Sequence, residues 1–97
     1  MREDRQRLDK WLWFARFART RSLAARLAAD GFVRVNGLRA ENPAKGIAIG
    51  DVVTVAAPHA TLAVRVIGLG LRRGPAPEAR LLYDDLSGNP APPERSE

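Results

Sequence analysis

Cysteine is absent from the 97 residues, and histidine occurs once, as His59. The first absence excludes disulfide scaffolds, thiolate metal sites and cysteine nucleophiles. The second excludes a multi-histidine metal centre. Aromatic residues make up only 6% of the chain. No apolar run approaches the roughly 20 residues that span a bilayer. The charged start (Arg2, Glu3, Asp4, Arg5, Arg7) carries no apolar stretch with a cleavage site. A cytoplasmic protein with no membrane partner is expected.

Catalytic signatures are missing as well. No Walker-type loop occurs, and GLGLRRG does not match GxGxxG. His59 follows Pro58 in a turn with no defensible Ser or Asp arrangement, and Asp84 and Asp85 point in different directions on a helix. The sequence therefore reads as a binding module: not an enzyme, with no cofactor and no small-molecule substrate.

Lysine is scarce too. Lys10 and Lys45 stand against 14 arginines, and the net charge is +5. The charge is uneven. Residues 1–30 hold eight basic and four acidic groups, 31–60 hold three and two, and 61–97 hold five of each. Such an asymmetric field speaks to partners and not to fold. Its usual partner is a polyanion, and guanidinium suits phosphate because it binds bidentately and stacks on bases. The arginine bias has a second source in composition, since Ala, Gly and Pro are also frequent.

Residues 7–18, RLDKWLWFARFA, predict a helix with Leu8, Trp11, Leu12 and Ala15 on one buried face. Lys10, Trp13, Phe14 and Phe17 lie on the other side. Those aromatics need a cover, either another helix or stacked bases. Thr20 is a good N-cap for a second helix from Arg21 to about Asp30, and Gly31 sits where a left-handed C-terminal cap belongs. The two helices are expected to share Leu12, Leu23 and Leu27. Val33, Asn36-Gly37 and Leu38 spell a hairpin with a type I′ turn. Its register sets Val35 against Leu38 and Arg34 against Arg39, with Val33, Val35 and Leu38 facing the core. Two arginines directly opposite are unfavourable. Either they splay into water or a phosphate fits between them, and the nearby basic helices favour the phosphate. Asn36 reads as a turn former and not as a base reader.

Ile47 and Ile49 alternate, Gly50-Asp51 reads as a turn, and residues 51–56 and 61–71 read as strands. Gly68 and Gly70 weaken the end of the second or permit a bulge. Residues 77–86, PEARLLYDDL, carry helix-start features in Pro77 and Glu78. Leu81, Leu82 and Leu86 are expected to pack on the spare aromatic face of the first helix. Residues 87–97, SGNPAPPERSE, read as disordered.

The ordered set Arg7-Leu8-Asp9, Thr20-Arg21, Ala24, Leu27, Gly31, Val33, Val35-Asn36-Gly37 and Gly50-Asp51 resembles the S4 RNA-binding domain family over roughly residues 7–56. RLDKWLWFARFARTRSLA and RRGPAPEARLLYDDL add a closer likeness to a small bacterial, ribosome-associated heat-shock branch of that family. The resemblance implies an α+β, S4-like (αL) fold: two antiparallel helices, then a small, mostly antiparallel sheet, with a short C-terminal helix. The expected organisation is an extension over 1–6, the S4-like domain with its following strands over 7–71, a helical extension over 72–86 and the tail.

It further implies that the partner is structured RNA, ribosomal and possibly of a tRNA-bearing large ribosomal subunit, in a heat-shock or stalled-ribosome recycling role. The expected RNA-binding residues are Arg7, Lys10, Arg16, Arg19, Thr20, Arg21, Arg26, Arg34, Arg39 and Lys45. Arg21 lies in the first turn of the second helix, where free N–H groups and the dipole favour phosphate. Two alternatives remain at this point: an accessory module acting in trans with an RNA-modifying enzyme, and a DNA-binding protein. A monomer is expected.

Overall fold

The computed structural model describes residues 5–56 and 61–86. The turn at Pro58-His59, the tail and residues 1–4 lie outside the described residues. The order is β1 (Gln6–Arg7), α1 (Leu8–Phe14), α2 (Arg21–Ala29), β2 (Val33–Val35), β3 (Leu38–Arg39), β4 (Gly46–Ile47), β5 (Val52–Ala56), β6 (Thr61–Val66), α3 (Ala76–Ala79), a 3-10 turn (Arg80–Leu82) and β7 (Tyr83–Asp85). Five strands form one antiparallel sheet in the order β3-β2-β5-β6-β7, and β1 pairs with β4 in a two-stranded ladder. The α+β class and the helix pair followed by an antiparallel sheet agree with the sequence reading.

The first helix is shorter than residues 7–18. It stops because Arg16 takes a left-handed conformation, φ 67°. Phe17 N–H then donates to the Leu12 carbonyl at 2.9 Å, and Arg16 N–H to that of Trp13 at 3.1 Å. This is the two-bond closure usually made with glycine at the turning position. The turn drops Phe17 back onto Trp11 and against Tyr83, with ring centroids 5.9 and 5.0 Å away. At the other end, Leu8 and Asp9 N–H groups donate to the Lys45 and Pro43 carbonyls at 2.9 and 3.0 Å. The loop before β4 thus satisfies donors that a helix start leaves open.

The second helix begins as expected: the Thr20 hydroxyl accepts from Leu23 N–H at 3.1 Å. It ends at Gly31, φ 85°. The helix pair does not share Leu23, however, although Leu27, half-buried, packs against the core as expected. Ala24 and Ala28 are the buried residues of α2, and Leu23 is 43% exposed. Small side chains let α2 lie close to α1, and Leu23 turns outward beside Leu27. They line a hollow with Phe17, Ala18 and the end of β5.

In the hairpin, Asn36 and Gly37 both have positive φ, 53° and 83°, and the expected pairings hold. Leu38 is an exception: it is 74% exposed, because β3 is the sheet edge and reaches beyond the helices. Asn36 is indeed a turn former. Its side chain also ties the turn to β5, accepting from Val52 N–H at 2.9 Å and donating to Asp51 Oδ1 at 3.2 Å.

The C-terminal segment departs most from expectation. The helix covers only Ala76–Ala79, and the chain then straightens into β7 beside β6. Leu81 and Leu86 stay exposed, while Leu82 packs against the core and shares a hollow with Phe14 as expected. The aromatic face is otherwise covered by Tyr83, against Phe17, and by the backbone at Gly70, against Phe14. The strand over 61–71 also ends early, at Val66, so that Gly68 and Gly70 can meet α1. Trp11, fully buried, donates from its indole nitrogen to the Gly68 carbonyl at 2.9 Å. Gln6 clasps Gly70 from both sides, donating to its carbonyl at 2.8 Å and accepting its N–H at 3.1 Å.

Two stability changes follow. A Cβ on Gly70 would stand 2.5 Å from Phe14 Cδ2 and 2.9 Å from its Cβ. Gly70→Ala is therefore expected to cost about 1–3 kcal/mol by overpacking. Trp11→Phe keeps a ring but leaves the Gly68 carbonyl without its donor, an expected loss of about 1–3 kcal/mol. Urea unfolding measures both.

Candidate nucleic-acid interface

The expected RNA-binding residues divide into groups. Arg7 and Arg21 meet at one carboxylate. Asp9 is 3% exposed and sits in the first turn of α1. Arg7 grips it with two bonds, Nε to Oδ1 at 3.1 Å and Nη2 to Oδ2 at 3.0 Å. Arg21 Nη2 lies 3.8 Å from Oδ1, a looser contact. The hydrogen bonds to Asp9, and then its charge, raise the Arg7 pKa above its ordinary value. Two cations on one anion leave a net positive cluster where α1 and α2 both begin. The backbone of Lys45 lies beside this point, since its carbonyl holds Leu8 N–H, next to Arg7.

Arg26 lies further along α2. Helical periodicity places Arg21, Ser22, Ala25, Arg26 and Ala29 on one outward arc, while Ala24 and Ala28 face α1. The arc is a floor of small side chains bordered by two arginines, open to close approach by a backbone. At its far end the Arg39 guanidinium lies over Gly31, where a Cβ would stand 2.9 Å from Nε. Arg39 thus joins the hairpin to the end of α2.

Arg34 pairs with Arg39 across the strands and with Thr54 on the other side. It points to the face of the sheet opposite buried Val33 and Val35. The conflict between the two arginines is eased by Glu41, which receives Arg39 Nη1 at 3.2 Å. A phosphate is not needed to hold that pair. Among the described residues, Arg19, Arg26, Arg34 and Lys45 have no carboxylate within 4 Å.

Other expected residues do something else. Thr20 is occupied as a cap. Lys10 sits over the Phe14 ring, 5.8 Å from its centroid. Arg19 lines the hollow beside Leu23. Arg16 turns to the C-terminal segment and donates from Nε to the Gly74 carbonyl at 2.7 Å. Sequence reasoning gave no role to Asp9, although an acid between Arg7 and Lys10 was a visible signal. It also gave no role of its own to Arg73, met only within GLGLRRG and RRGPAPEARLLYDDL. No group of three or more metal-ligating side chains occurs among the described residues, and no helix there is long and apolar enough to cross a membrane.

The S4 domain model matches residues 6–53. The chain is 39% identical over 89 residues to the heat shock protein 15 homolog of Haemophilus influenzae, covering 92% of this chain and 67% of that protein. It is 40% identical over 81 residues to heat shock protein 15 of Escherichia coli K12, covering 84% of this chain and 60% of the relative. The chain thus spans about 60–67% of the length of these curated relatives. A solved structure, of Vibrio cholerae heat shock protein 15, superposes with a TM-score of 0.81 at 40% identity, covering 87% of this chain and 84% of that one; its title describes a trimer. The S4 domain is an RNA-binding module and not an enzyme, and nothing in these likenesses supports the DNA-binding alternative. The chain belongs to the S4 RNA-binding domain family, in its heat shock protein 15 branch.

Proposed function

We propose that the chain binds structured ribosomal RNA on the large subunit, through the α1/α2 start, the outer arc of α2 and the hairpin. The observation that carries this is the set of cations around the small-residue arc: among the described residues, Arg26, Arg34 and Lys45 have no carboxylate within 4 Å, and Arg7 and Arg21 share one. Helical RNA is recognised mainly by shape and by phosphate and 2′-hydroxyl contacts. The binding is selective for structure and nearly indifferent to sequence. The choice of the large subunit, a heat-shock or stalled-ribosome recycling role and the cytoplasmic location rest on the likeness to heat shock protein 15.

Asp9 is the positioning residue of this surface. It does not contact RNA. It fixes the guanidinium plane of Arg7 and draws Arg21 toward it.

If five or six phosphates are neutralised, log K falls with log salt at a slope of about −5. A titration of a labelled RNA stem-loop at several salt concentrations measures it. Arg26→Glu and Arg34→Glu are expected to weaken binding while leaving the melting temperature nearly unchanged, because among the described residues neither side chain has a carboxylate partner to lose. Co-sedimentation of the chain with purified large subunits, and not with small ones, tests the ribosomal site. Asp9→Asn is expected to cost about 1–3 kcal/mol of stability and to reduce RNA affinity several-fold by freeing Arg7. Stem-loop binding at wild-type strength by that variant refutes the positioning role.

The stoichiometry is taken as one chain per site. Sedimentation velocity at binding concentrations returns the monomer mass in that case, and three times that mass if the chain assembles as the V. cholerae relative does.

A further inference from the structure

We propose that Arg16 and Arg73 form a second anion site, at the junction of α1 with the loop over residues 72–75, and that it takes one backbone phosphate of the bound RNA. The inference rests on the RNA-binding reading above but uses residues outside the α2 and hairpin surface.

The site begins with the end of α1. A non-glycine residue in the left-handed region is unfavourable, yet Arg16 stands there, φ 67°. Its side chain crosses to the C-terminal segment, where Nε donates to the Gly74 carbonyl at 2.7 Å. Arg73 directly precedes that carbonyl's residue, and the charge of Arg16 is felt at its guanidinium. Arg73 Nε is closed off from solvent and has no hydrogen-bond acceptor. A buried donor without an acceptor is costly, and a like charge beside it adds to the cost. Burial first, and the charge of Arg16 second, push the Arg73 pKa below its ordinary value.

The local acid does not relieve this. Glu78 receives Arg72 Nη2 at 2.8 Å. Among the described residues neither Arg16 nor Arg73 has a carboxylate within 4 Å. Three unfavourable features therefore coincide: a left-handed arginine, an unpartnered guanidinium N–H and two adjacent positive charges. An anion between the guanidinium groups compensates the charges and supplies acceptors, and phosphate fits guanidinium donors bidentately. Both arginines are part-buried, so an anion from solvent meets the outer ends of their guanidinium groups and not the enclosed Arg73 Nε. An open site suits a phosphate already held in a polymer better than a free ion.

The test compares Arg73→Met with Arg26→Glu on the labelled RNA stem-loop. Arg73→Met is expected to keep or raise the melting temperature, to weaken RNA binding about 3- to 10-fold and to make the salt slope shallower by about 1, the value for one lost phosphate contact. In the wild-type protein, inorganic phosphate is expected to move the Arg73 Nε–H resonance in a nitrogen–proton NMR spectrum. Arg73→Lys, which keeps the charge but not the fork, is expected to fall between wild type and Arg73→Met in affinity.

Wild-type affinity and slope in Arg73→Met, with binding lost in Arg26→Glu, overturn this site and leave the RNA-binding reading standing. A fall in melting temperature in both Arg73 variants makes the residue structural and also overturns it. A phosphate-induced shift in a protein that binds no RNA assigns the site to a free anion and overturns both readings.

Discussion

The hydrogen bond from the Trp11 indole to the Gly68 carbonyl sets the relation between the helices and the sheet. The ring is fully buried, and its polar edge finds one acceptor, just past the end of β6. A buried indole N–H needs such a partner. That requirement fixes both the rotation of α1 about its axis and its position along β6. Phe17 and Tyr83 then close on the ring from two directions. With α1 seated, α2 follows through Ala24 and Ala28, and the start of α1 faces the loop before β4. The clasp of Gln6 on Gly70 repeats the same linkage from the N-terminal side.

The proposed RNA-facing surface is a consequence of that seating. Asp9 is buried because its turn of α1 is buried, and a buried carboxylate requires donors. Arg7 supplies them along the chain, and Arg21 approaches across the helix pair. The hairpin arginines are placed by a different device, the Asn36-Gly37 turn, whose geometry pins the register. Arg39 is the join between the two, lying over the bare Cα of Gly31. One anionic anchor, one turn and one glycine suffice to hold cations from four elements in a defined order.

Much of this was legible in the chain. Thr20, Gly31 and Asn36-Gly37 act through local chemistry, so their roles could be read without tertiary information. The face of Leu8, Trp11 and Leu12 followed from period alone. What was not legible depended on contacts distant in sequence. The stop of α1 carries no glycine or proline; it is imposed by Arg16, whose side chain is held 58 residues away. Residues 80–86 have helical spacing, yet β6 offers a free edge and Tyr83 a place beside Trp11, and these outweigh a short helix. Two-residue strands such as β1 give too little pattern to detect. Leu38 faces the core side by register but lies beyond its rim. The split of the basic residues into surface, capping and tethering roles had no sequence signal, since one arginine looks like another until its neighbours are known.

The order of the strands has a further electrostatic effect. One margin of the five-stranded sheet carries Arg34 and Arg39, and the other ends in Asp84 and Asp85. The arginine pair thus lies toward one end of the sheet, while toward the other Arg65 stands across from Asp84. A polyanion meeting the sheet in the proposed way would be drawn to the hairpin margin, where like charges stand together, and not to the β7 margin, where opposite charges face each other.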